Sequence, residues 1–84
     1  MPLPEQPTSL TVEQIAELNG KLSTMRHDIN NHLSLMVAAV ELIKHNPDGF
    51  NRMVGVLIEQ PPKISEAIRG FSAEFEKAVG VTRA

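Results

Sequence analysis

The chain has no cysteine, no tryptophan and no tyrosine. Without cysteine, neither a disulfide nor a thiolate metal site can brace the fold. Its eight Lys and Arg are scattered, with no basic run. A stacking platform and a charged stripe for nucleic acid are therefore both missing, and nucleic acid is not an expected partner. No apolar run approaches the length of a membrane span, so the membrane is not expected either. The opening MPLPEQPTS carries neither a basic n-region nor an apolar h-region, so it does not read as a secretion signal. The cytoplasm is the default expectation. Eighty-four residues with a formal net charge of -2 make one small domain. A domain of that size buries only a modest share of its surface and usually needs added support. With disulfides and thiolate metal sites excluded, oligomerisation is the common route that remains.

What is present is helical periodicity. Residues 1–10 hold Pro2, Pro4 and Pro7 among polar residues and read as an extended, flexible lead-in. Thr11-Val-Glu-Gln14 has the form of a capping box, a hydroxyl at the N-cap with an amide three residues on. Apolar positions then alternate three and four apart through Ile15, Leu18, Leu22, Met25, Ile29, His32, Met36, Ala39 and Ile43, with His32 the one polar member. The register passes through Asn19-Gly20 without a slip, which predicts a helix that tolerates one glycine. Pro47 and Gly49 stop it near His45-Asn46.

A second stripe follows: Phe50, Val54, Leu57, Pro61, Ile64, Ile68, Phe71, Phe75 and Ala78. Pro61-Pro62 interrupts the hydrogen-bond ladder, yet the register continues beyond it, so one kinked helix is expected. The expectation is a single helical-hairpin domain over 11–80, with helix 1 at about 11–45, helix 2 at about 49–79, and a tail at 81–84. The short NPDG link makes the helices antiparallel neighbours. Around His32 to Ile43 helix 1 is apolar over more of its circumference than one seam requires. A second copy would use that surplus, so the fold class read from the pattern is all-α, a hairpin that dimerises into a four-helix bundle.

The densest polar cluster is Arg26-His27-Asp28-Ile29-Asn30-Asn31-His32, at the middle of helix 1. With Ile29 at an a position, His27 falls at f and faces solvent, while His32 falls on the stripe as a core histidine. His27 and Asn31 are four apart and share a face. An exposed neutral imidazole beside a carboxylate, with an amide one turn away, suits phosphoryl transfer to nitrogen. Asp28 would bias the tautomer or take up the proton, and Asn31 would bond a phosphoryl oxygen or orient a water. The plainer alternative is a solvated helix face. His45 sits where it would meet the last carbonyls and the helix dipole. Asp28 with His32 supplies only two ligands, too few for a metal site. The four Met residues read as core filler.

Met25-Arg-His-Asp-Ile-Asn-Asn-His-Leu33, followed by Ser34-Leu-Met and Glu41-Leu42, resembles the H-box of the dimerisation and histidine phosphotransfer domain of sensor histidine kinases. The resemblance implies that His27 is phosphorylated, that Asp28 assists its proton chemistry and that Asn31 assists transfer or hydrolysis. It implies a homodimer whose partners are a response-regulator receiver domain, a separate histidine kinase catalytic domain, or both. Many members have proline after the Asn position, where this chain has His32. No glycine-rich phosphate-cradling loop and no ATP-binding domain accompany the hairpin, so an autonomous kinase is not expected. No cofactor is expected in the chain itself, and any Mg2+ would belong to the partner. The competing reading is a non-catalytic helical-bundle module that binds a receiver or kinase. A piece excised from a longer kinase is a third reading, which the initiating Met weighs against.

Overall fold

In the computed structural model, which describes residues 9–80, two long helices and one short turn account for nearly every residue. Helix α1 spans Val12–His45 and α2 spans Phe50–Val79, joined through a single 3-10 turn at Pro47–Gly49. No strand occurs among the described residues. The all-α antiparallel hairpin is thus the fold. The expected lead-in and the tail at 81–84 lie outside the described residues, apart from Ser9 and Leu10.

Each boundary has a local cause. Thr11 is extended at φ -73° and ψ 162°, and its Oγ1 accepts from the Gln14 N–H at 3.0 Å. Gln14 Oε1 accepts in turn from the Thr11 N–H at 2.8 Å, which completes the reciprocal cap. At the other end the Asn46 N–H donates to the Leu42 carbonyl at 2.8 Å, and Pro47 follows where the chain must leave the helix. Helix α2 closes on Gly80 at φ 74°, the left-handed conformation that glycine adopts without a Cβ penalty. Gly20 lies inside α1 and does not interrupt it.

Pro61 and Pro62 lie inside α2, which continues through both. Their missing N–H groups deprive the Leu57 and Ile58 carbonyls of their usual partners, which shortens the ladder without ending the helix.

The seam follows the α1 stripe closely and departs from the α2 stripe. Leu18, Leu22, Met25, Ile29, His32, Met36 and Ile43 are half-buried and Ala39 is buried, while Ile15 is exposed. On α2, Val54, Leu57, Ile64, Phe71, Phe75 and Ala78 are half-buried as the periodicity predicts. Phe50, Pro61 and Ile68, expected on the same stripe, are exposed, and Gln60 and Ala67 take the inward positions. The two settings share 57, 64, 71 and 78 and differ by roughly 40–50° of helix rotation, about half a residue. Counting apolar residues selects Pro61 and Ile68. It overlooks that a half-buried imidazole facing α2 needs a polar partner.

Ala39, 2% exposed, is the one buried hydrophobic residue among the described residues. A single pair of helices encloses no volume, so large side chains along the seam keep one flank in water.

Candidate functional site

His27 projects from the middle of α1 and is 75% exposed. It lies two residues from both Met25 and Ile29, which face the seam. At 3.6 residues per turn it therefore points almost directly away from α2. Asp28, 51% exposed, brings its Oδ1 to 3.9 Å from His27 Nδ1. That is too long for a hydrogen bond. Asn31 is exposed one turn further on, on the same side of the helix as His27. These three residues therefore occupy one open surface of one helix.

Asp28 also borders a groove of about 260 Å³ between the helices, with Met25, Ala67, Gly70 and Phe71 around it. Its far end carries a cross-helix ion pair, Lys21 Nζ to Glu74 Oε2 at 2.7 Å. Lys21 also reaches Glu17 Oε1 at 3.2 Å, one turn back on α1. The hydrogen bond to Glu74, and after it the one to Glu17, hold the Lys21 ammonium above its ordinary value. The hydrogen bond from Lys21 holds the Glu74 carboxyl below its ordinary range.

His32, the residue after Asn31, turns inward. Its Nδ1 lies 2.8 Å from Oε1 of Gln60, which is 3% exposed. The Gln60 Nε2 donates to the Val56 carbonyl at 2.9 Å. Periodicity placed His32 on the seam and missed Gln60 as its partner. The available signal was that a seam histidine calls for a polar residue opposite, and Gln60 is the polar residue at that level of α2. Lys21 and Glu74 were missed as well, because flanking charges carry no period that identifies a cross-helix pair.

No group of three or more residues able to hold a metal ion occurs among the described residues. No helix among them is long and apolar enough to cross a membrane. The fold and site define an all-α helical hairpin with an exposed His-Asp-x-x-Asn face. No protein family, curated protein or solved structure matches the chain.

Proposed function

We propose that this chain is a histidine phosphotransfer protein of the two-component type, with His27 as its phosphoacceptor. The observation that carries the reading is the position of His27: 75% exposed, opposite the seam, with a carboxylate 3.9 Å from Nδ1. In the transfer, the lone pair of Nε2 attacks the phosphorus of an aspartyl phosphate on a receiver domain. A P–N bond forms, the P–O bond to the aspartate breaks, and the aspartate leaves as a carboxylate. Asp28 faces the Nδ1 side and offsets the positive charge that develops on the ring. Asn31 contacts a phosphoryl oxygen or the water that later hydrolyses the product. Positioning and charge dominate this class of reaction, so one exposed helix face can supply what the acceptor needs. Any Mg2+ required belongs to the partner that holds the donor phosphate.

The functional unit in this reading is a homodimer, a four-helix bundle in the cytoplasm. A radius of gyration of 17.9 Å, against roughly 12 Å for a compact domain of this length, describes a rod. Its exposed apolar residues include Leu33, Val37 and Val40 on α1 and Ile58 and Ile68 on α2. These are the residues that a second hairpin would cover.

Labelled phosphate from phosphoramidate, or from a phosphorylated receiver domain, tests the acceptor role. Wild type should gain an acid-labile, base-stable phosphate, and His27→Ala should gain none while keeping its helicity. Label retained on His27→Ala would refute the assignment. If wild type takes up no label, the exposed apolar flanks favour the second reading, a dimeric bundle that binds a receiver or kinase without chemistry.

A further inference from the structure

We propose that the His32–Gln60 pair is the element that fixes how α2 is turned against α1, and so sets which residues the hairpin presents outward. The rest of the seam is mostly apolar, and apolar contact is non-directional. Two settings of α2 share Leu57, Ile64, Phe71 and Ala78. One adds Pro61 and Ile68 to the seam, and the other adds Gln60 and Ala67. Burial of apolar surface favours the first, yet the structure adopts the second, with Gln60 3% exposed and Ile68 46% exposed.

The directional interaction that separates them is the bond at 2.8 Å between His32 Nδ1 and Gln60 Oε1. Its polarity is determined by a third group. The Val56 carbonyl can only accept, so the Gln60 amide must turn its nitrogen there and its oxygen toward His32. His32 is therefore held as the Nδ1–H tautomer. A partly buried polar pair of this kind adds little net stability but penalises every arrangement that separates its members. A single polar residue in an apolar coiled-coil seam specifies register in the same way.

Two consequences follow for the outer surface. Pro61 and Ile68 stay on the face left free for a second hairpin. His27, five residues before His32 on the same helix, is held in a fixed direction relative to α2. The second consequence rests on the phosphotransfer reading, whereas the setting of the seam does not.

The test uses the full chain and needs no phosphate donor. Long-range 1H–15N spectra of the imidazoles should report His32 as Nδ1–H; finding the Nε2–H form in wild type would overturn the proposal. His32→Leu removes the donor while enlarging the apolar seam. In that variant the intraprotomer Overhauser contacts to α1 should pass from the Ala67 methyl to the Ile68 methyls. Exchange of the Gln60 side-chain amide should accelerate at least about tenfold as it turns to water. The swapped variant His32→Gln, Gln60→His should restore the wild-type contacts. A folded His32→Leu protein that keeps the Ala67 contacts would show that packing alone sets the seam. Should His32→Leu fail to fold, the tautomer and the swapped variant still decide, since loss of the Ala67 contacts in the swap also counts against the pair.

Discussion

Three histidines on one chain have three different environments, and position along the helix decides each. His27 points away from the seam into solvent, whereas His32 is bonded to Gln60. His45 lies in the last turn of α1, 79% exposed, with Nε2 at 3.7 Å from Glu41 Oε2. Under the phosphotransfer proposal, Asn31→Ala should leave folding unchanged and alter the lifetime of a phosphohistidine at position 27, measured as loss of label with time. His32→Ala should instead lower stability by about 1–3 kcal/mol, because it strands the buried Gln60 oxygen. Chemical denaturation checks that loss. The Lys21–Glu74 pair predicts a pH dependence. Glu74 is depressed in the fold, so its contribution is complete above the ordinary value of 4.5 and is lost as pH falls through the lowered value. Lys21 is raised, so its contribution is complete below 10.5 and is lost as pH rises through the raised value. Both are constant at neutral pH. Lys21→Met should therefore lose less stability than wild type on acidification from pH 7 to about pH 3, as read from urea midpoints. Added salt should shrink the difference, since both groups are exposed.

The helices themselves are set largely by local chemistry. Thr11 and Gln14 exchange hydrogen bonds within one turn, so α1 carries its own start signal. Thr11→Ala should cost about 1 kcal/mol, and thermal unfolding should show a midpoint lower by roughly 4–8 °C. Gly20→Ala should act in the opposite direction. A Cβ at Gly20 meets nothing within 4 Å, so the helix gains up to about 1 kcal/mol without a clash. An unchanged or lower melting temperature for Gly20→Ala would mean that another surface closes over this position. The double proline is the element where local rules and structure pull apart. Taken alone it ends a helix, but α2 runs through it because Leu57 and Ile64 on either side are both held by the seam.

At the scale of the molecule, a rod of 57 × 28 × 12 Å leaves large apolar side chains exposed on both helices. Val37 is 64% exposed and Ile58 66%, so neither supports the hairpin itself. If the chain forms the proposed homodimer, Val37→Glu with Ile58→Glu should keep the helicity of the single hairpin and abolish self-association, as sedimentation equilibrium would show. A buried, unpaired carboxylate at a dimer interface is costly. If the doubly substituted chain sediments as wild type does, these flanks do not carry the assembly. Met36→Asp is a harsher change, since Met36 is half-buried within the hairpin seam and its loss affects fold and assembly together.

The sequence by itself determined the two helices, the cap at Thr11, the stop at Pro47 and most of the seam. Each of these depends on neighbours within a turn or on a period that repeats many times. It also isolated His27, Asp28 and Asn31 as one polar face, because spacing alone assigns residues to the sides of a helix. Only the tertiary structure decided that Gln60 and Ala67 enter the seam while Pro61 and Ile68 stay out, and that Lys21 crosses to Glu74. These choices join residues 28 and 53 positions apart. They depend on the rotation of one helix against the other, which a directional hydrogen bond selects and a hydrophobic count cannot.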